Sequence, residues 1–143
     1  MATVADPIDW KMLRDKAADA AQGAYAEYSK FKVGAAALVD NGRIITGCNV
    51  ENVSYGLTLC AECAVVCALY SKDGGGGGTL RALTCVDGKG QLLMPCGRCR
   101  QLLFEHGGAE IRIDHPDGPK RLGDLLPDAF SRKDLDADKQ GGT

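Results

Sequence analysis

The chain has 143 residues, a formal net charge of −2 and a 45% hydrophobic fraction, enough for one compact domain with its own core. No basic stripe matches a nucleic-acid backbone, no apolar run reaches the ~20 residues that span a bilayer, and Met1–Asp6 lacks the basic start and apolar stretch of a signal peptide. Seven cysteines in a chain without an export signal argue against a disulfide framework; the cytoplasm is the expected compartment, with the thiols reduced and some of them on a metal.

Asp9 reads as the N-cap of a first helix, with Trp10, Leu13, Ala17, Ala20, Ala21 and Ala24 spaced in threes and fours. A loop over Tyr25 to Phe31 precedes Val33–Val39, an unalternating apolar run expected of a strand covered on both faces. Asp40-Asn41-Gly42-Arg43 predicts a hairpin turn in which both central residues tolerate positive φ, with Ile44 to Val50 as the returning strand. Asn49-Val50-Glu51-Asn52 leaves that strand with three polar side chains, and Ser54 to Leu59 forms a second loop. The segment from Cys60 to Tyr70 carries apolar residues on every side and predicts a helix buried nearly all round, starting at or near Cys60. The five glycines from Gly74 to Gly78 lack the ending of a phosphate-binding loop and read as a flexible connection. Leu80 to Val86 resumes as a strand and Asp87-Gly88-Lys89-Gly90 turns it. Pro95 suits a first helical turn, so Cys96 to His106 is the next helix, stopped by Gly107-Gly108. Ala109 to Ile113 alternates as a final strand. This order gives a three-layer α/β/α arrangement of a mixed sheet with helices on its faces. Residues 1–130 form the domain, and 131–143 read as a polar, loose tail.

Chemistry concentrates in Cys60-Ala61-Glu62-Cys63 and Pro95-Cys96-Gly97-Arg98-Cys99. Two arrangements are open. In one, Cys60, Cys96 and Cys99 hold a zinc ion with an open fourth position and Glu62 moves protons. In the other, Cys60/Cys63 and Cys96/Cys99 close a four-thiolate structural site in a non-catalytic module. Cys96 and Cys99 at i and i+3 share one side of a helix. Cys60 and Cys96 both fall at helix starts, where unpaired N–H groups favour thiolate. Against the closed site stand the 32 residues between Cys63 and Cys96, long for a zinc ribbon, and the helical continuation Ala64-Val65-Val66.

Cys-x-Glu followed by Pro-Cys-x-x-Cys is the pattern of zinc nucleoside and nucleobase deaminases. With Tyr28–Ala36, Gly47–Asn52, Pro95–Gln101 and Leu125–Phe130, the chain resembles the small homotetrameric cytidine deaminases from about residue 10 to residue 130. The resemblance implies the cytidine deaminase-like fold and the hydrolytic conversion of cytidine and deoxycytidine to uridine and deoxyuridine with release of ammonia, a pyrimidine-salvage reaction. It implies one Zn²⁺ per chain on Cys60, Cys96 and Cys99, and Glu62 as the proton carrier. Asn49 and Glu51 then meet the ribose hydroxyls, Phe31 packs on the base and the backbone at Ala61 meets the pyrimidine carbonyl. Tyr55 and Phe130 reach across subunit interfaces of a homotetramer. A deaminase acting on a modified cytosine nucleoside is the neighbouring reading. Cys48, Cys67 and Cys85 match no ligand position and read as small core residues; His106 and His115 read as surface residues. One departure stands out: most relatives of this type carry Arg directly after the catalytic Glu, where this chain has Cys63, and Arg98 is the candidate to offset the thiolate charge instead.

Overall fold

The computed structural model describes residues 7–71 and 75–141; the Met1–Asp6 segment and Gly74 of the glycine run lie outside them. Helix α1 spans Trp10–Ala21, and Asp9 caps it through Oδ1, which accepts from Met12 N at 3.0 Å. Strands β1 (Val33–Val39) and β2 (Ile44–Cys48) form the expected hairpin, with Gly34 opposite Cys48 and Leu38 opposite Ile44. Its turn differs from the expectation. Gly42 has φ of 90° while Asn41 stays at negative φ, and Gly42 N donates to Val39 O at 2.9 Å. This is a type I turn followed by a left-handed glycine, the three-residue solution; Asn41 instead uses its side chain, whose Oδ1 accepts from Arg43 N at 3.0 Å.

Helix α2 (Ala61–Ser71) follows a short 3₁₀ turn at Tyr55–Leu57. The glycines after it are an ordered cap over their described part, not a loose connection. Gly76 N and Gly77 N donate to Tyr70 O and Leu69 O, and Arg43 Nη2 reaches Leu69 O and Gly77 O at 3.2 and 2.9 Å. Gly75 to Gly78 all take positive φ, which only glycine adopts without strain.

Strand β3 (Leu80–Asp87) is the centre of the sheet, whose order runs β2, β1, β3, then β5 (Arg112–Ile113) and β6 (Lys120–Arg121). One edge pairs antiparallel with β1. The other is shared, by β4 (Leu92–Leu93) antiparallel at Cys85 and Val86, and by β5 (Arg112–Ile113) parallel at Ala82 and Leu83. The sheet is therefore mixed, as expected. The final strand is shorter than its alternation implied, because Gly108–Glu110 winds into a 3₁₀ turn and leaves two residues to pair. Between these strands lies α3 (Gly97–Glu105), and β6 (Lys120–Arg121) leads into the four-residue α4 (Leu122–Leu125).

Both faces of β1 are covered. Ala35, Ala37 and Val39 join a core with Val65, Leu69, Leu83 and Leu103 of α2, β3 and α3. Ala36 packs from the other face against Leu13 and Ala17 of α1. That double burial is why the strand reads as a continuous apolar run. Two glycines set the layer spacing: a Cβ on Gly34 would sit 1.9 Å from Ala17 O, and one on Gly47 would sit 2.8 Å from Ala61 O. The α1 layer is also clamped by charge. Arg14 Nε and Nη2 donate to the two carboxylate oxygens of Asp114, fully buried, at 2.7 and 2.9 Å, and Thr84 Oγ1 adds a third bond.

Residues 131–143, expected as a loose tail, are helical over Arg132–Gly141, which we label α5. Asp134 Oδ2 accepts from Ser131 N at 2.8 Å at its start, and Arg132 lies 4.0 Å from Asp136. The polar composition hid it, since a helix held by local pairs shows no apolar stripe.

Candidate active site and metal centre

The site lies where α2 and α3 begin. Before α2, Val50 and Leu59 exchange two backbone bonds of 2.9 Å, and Glu51 N donates to Tyr25 O at 2.8 Å. These ties fix the chain that delivers Cys60 as the residue directly before the helix. Cys96 is the N-cap of α3. Arg100 steadies this entry, with Nε on Pro95 O and Nη1 on Leu125 O, both at 2.8 Å. Pro95 thus precedes the cap instead of occupying the first turn.

The sulfurs of Cys60, Cys96 and Cys99 all lie within 4.8 Å of one another. A tetrahedral zinc with Zn–S bonds of about 2.3 Å spaces its sulfurs by roughly 3.8 Å, so the three thiols fit that ion and leave its fourth position open. Cys63 is not in the group, although half-buried nearby on α2. Its backbone N–H donates to Cys60 O at 3.0 Å, and the helical path carries its side chain away from the other sulfurs. The four-thiolate arrangement is not formed.

Burial pushes the Cys60 and Cys99 thiols up. At Cys96 burial is outweighed by hydrogen bonds from the Cys99 backbone and side chain and from Cys60, which bring it down. Only one of the two helix starts thus favours thiolate unaided. The other two sulfurs need a cation beside them to ionise.

Glu62 is 4% exposed on the first turn of α2. Burial raises its carboxyl, opposed by its own backbone N–H and by the thiols of Cys99 and Cys85. A cavity of about 290 Å³ opens onto these groups, lined among others by Phe31, Asn49, Cys60, Ala61, Glu62 and Cys96. Asn49 is doubly anchored: Oδ1 accepts from Val33 N at 2.9 Å and Nδ2 donates to Phe31 O at 3.0 Å. One amide hydrogen and one lone pair stay available to a ligand. Glu51 faces an adjoining cavity with Tyr28, Ser29, Tyr55 and Thr58, and Thr58 lines both spaces. Its Oε1 accepts from Tyr28 N and Ser29 N at 2.9 and 3.1 Å, and Ser29 Oγ donates to Oε2.

The structure thus gathers Phe31, Asn49, Ala61, Glu62, Cys60 and Cys96 on one cavity, with Cys99 buried beside them, and Glu51 next door. Tyr55 and Phe130, expected to reach across subunit interfaces, lie outside this cavity. Tyr55 is 75% exposed and meets Tyr28 edge-on with ring centroids 6.0 Å apart, and Phe130 is 61% exposed, its carbonyl accepting from Gln101 Nε2. Neither lines the main cavity. The Arg98 side chain is exposed and makes no hydrogen bond or ion pair among the described residues. The sequence reading missed Val33, Thr58, Leu93, Met94 and Cys85 as cavity walls. Cys85 is buried as expected, but Cys67 is exposed on α2. His106 and Tyr70 pair instead of standing free, with Nδ1 and the hydroxyl 2.7 Å apart.

A family model described as the cytidine and deoxycytidylate deaminase zinc-binding region matches residues 9–113. The chain is 69% identical over 133 residues to a cytidine deaminase of Mycobacterium tuberculosis, covering 93% of this chain and 98% of that one. The crystal structure of cytidine deaminase from M. tuberculosis superposes with a TM-score of 0.84 at 72% identity, covering 87% and 99%. That of cytidine deaminase from Mycobacterium leprae gives 0.81 at 55%, covering 85% and 99%.

Proposed function

This chain belongs to the cytidine and deoxycytidylate deaminase family, and from that premise we propose that it catalyses the hydrolytic deamination of cytidine and 2′-deoxycytidine to uridine and 2′-deoxyuridine with release of ammonia. The observation that carries this reading is one cavity lined by two of the three gathered sulfurs, with the third buried beside them, a buried carboxyl and an apolar wall with a fixed amide. Zinc, when bound to Cys60, Cys96 and Cys99, supplies a water whose pKa is lowered toward neutrality and which is therefore nucleophilic at neutral pH.

The protein's own groups do the rest. Glu62 accepts the water's proton and delivers it to N3 of the cytosine as C4 is attacked. The same carboxyl then takes the proton of the new C4 hydroxyl and passes it to the amine as the C4–N bond breaks, so one group serves as base and acid in turn. Its burial suits that double duty, because a raised pKa keeps the protonated form accessible. Phe31 forms the apolar wall for the pyrimidine. Asn49 presents its spare amide hydrogen and lone pair toward the sugar, Glu51 accepts from ribose hydroxyls and the backbone at Ala61 meets the base carbonyl.

Two further proposals complete the reading. The protein works in the cytoplasm; no helix among the described residues is long and apolar enough to cross a membrane. It assembles as a homotetramer, with Tyr55 and Phe130 completing sites of neighbouring subunits. In support, Val53, Tyr55, Leu57 and Phe130 expose 61% to 76% of their surfaces, apolar side chains that a subunit interface would cover.

The test mixes zinc-loaded protein with cytidine and follows uridine and ammonia. Turnover is expected, and Glu62→Ala is expected to lower kcat by at least about 10²–10⁴-fold while keeping zinc. Cys63→Ser is expected to keep one zinc per chain and most activity, whereas Cys99→Ser loses the metal. A folded, zinc-loaded wild type that leaves cytidine intact would refute the assignment.

A further inference from the structure

The chain leaving β2 and the chain entering α2 meet in a narrow antiparallel bridge. Val50 N donates to Leu59 O and Leu59 N to Val50 O, both at 2.9 Å. Side chains alternate across such a pairing, and residues directly opposite one another share a face. Val50 and Leu59 are exposed. Continuing the register by one residue each way sets Asn49 opposite Cys60 and Glu51 opposite Thr58, with all four side chains on the inner face. The cavities agree, since Asn49, Thr58 and Cys60 line the main one and Glu51 and Thr58 the adjoining one. Thr58 is half-buried, and its backbone N–H donates to Tyr55 O at 3.1 Å. Its hydroxyl makes no hydrogen bond among the described residues.

A count of donors and acceptors shows what that hydroxyl can do. A ribose brings two adjacent hydroxyls, each both donor and acceptor. A carboxylate offers about four acceptor positions and no donor. On Glu51 the N–H groups of Tyr28 and Ser29 and the Ser29 hydroxyl already occupy three of these, which leaves about one. Asn49 adds one acceptor and one donor, the rest of its amide being held by Val33 N and Phe31 O. The two sugar protons therefore find two acceptors, whereas the two sugar oxygens find a single donor. A 2′-deoxyribose has only one hydroxyl at this position, and Asn49 with Glu51 serves it fully.

We propose that Thr58 is a specificity-determining residue: its O–H donates to the ribose hydroxyl that Asn49 and Glu51 leave without a donor, and so favours cytidine over 2′-deoxycytidine. This role rests on the deaminase reading, because it concerns the sugar of that substrate. Asn49 and Glu51 accept either sugar, and Thr58 ranks them.

The experiment compares zinc-loaded wild type, Thr58→Val and Thr58→Ser on cytidine and 2′-deoxycytidine. Valine keeps the branched shape without the hydroxyl; serine keeps the hydroxyl. The ratio of kcat/KM for cytidine to that for 2′-deoxycytidine is expected to fall about three- to tenfold in Thr58→Val, through KM for cytidine. In Thr58→Ser it is expected to stay within about twofold of wild type. A change of cavity shape or stability lowers both substrates together and leaves the ratio alone. A second measurement needs no turnover: calorimetric titration with the products uridine and 2′-deoxyuridine is expected to show the same fall in the ratio of affinities in Thr58→Val. An unchanged ratio in Thr58→Val by either measurement, or a serine ratio as low as that of valine, overturns the proposal. A wild type that leaves both nucleosides intact refutes the deaminase reading instead, and the ratio of product affinities then decides on Thr58 by itself. A wild type that also binds neither product overturns both.

Discussion

Glu51 shows how much one side chain carries. It receives the backbone N–H groups of Tyr28 and Ser29 and the Ser29 hydroxyl, and so folds the loop that places Phe31 while facing the cavity next to the metal site. These bonds, the Ser29 hydroxyl first and its backbone N–H next, hold the carboxyl below its ordinary value of 4.5. A depressed folded-state pKa means a stabilisation fully present above the ordinary value and lost as pH falls through the lower one. The thermal midpoint of wild type is therefore expected to fall more steeply than that of Glu51→Gln between about pH 5 and pH 3. Parallel melting curves for the two proteins across that range would show that the loop does not depend on the charge. At neutral pH, Glu51→Gln is expected to raise KM for cytidine by about tenfold or more, since a carboxamide replaces one acceptor oxygen with a donor. Glu62 and Cys60 were legible as candidates because their chemistry depends on type and spacing. Cys85 was not legible as a cavity wall: in sequence it is one apolar-like position in a strand, and only the tertiary fold places it on the cavity with Glu62.

At the scale of elements, the metal centre depends on how closely α2 lies on β2. Gly47 makes this possible, for a Cβ there would stand 2.6 Å from Ala64 Cβ and 2.9 Å from Val65 N. Gly47→Ala is expected to destabilise the fold by about 1–3 kcal/mol through overpacking. Because the displaced turn carries Cys60 and Glu62, it also weakens zinc retention, measured as metal content after dialysis against a chelator. A variant that melts like wild type and keeps its zinc would show that the helix has room to spare. Local patterns found α1, the hairpin and the starts of α2 and α3, since caps and apolar spacing act over a few residues. They did not find β4, β6 or α4, two to four residues long, whose backbone bonds come from distant partners. Nor did they separate the turn types open to Asn41-Gly42, which differ in loop length and in the backbone angles at both residues.

Across the whole molecule, Arg14 and Asp114 tie α1 to the chain end of β5 beneath a sheet that carries its chemistry on the opposite face. The outward-facing aromatic and aliphatic side chains lie near that chemistry, and on the tetramer reading the assembly covers them. Sizing in solution is expected to give four chains. Phe130→Ala and Tyr55→Ala are expected to raise KM by roughly tenfold in the assembled protein, as lost packing against substrate or a neighbour would require. A monomer with full activity would remove the shared-site reading. The three-layer class and the donor set Cys60, Cys96 and Cys99 were determined by sequence alone, because periodicity and ligand chemistry are written in residue types. Only the tertiary structure decided that Cys63 stands apart from the other sulfurs, that Arg98 faces solvent and that Cys85 lines the cavity with Glu62. Those outcomes depend on the direction in which each side chain leaves its helix or strand, and on which distant strand lies beside it, and neither is contained in spacing along the chain.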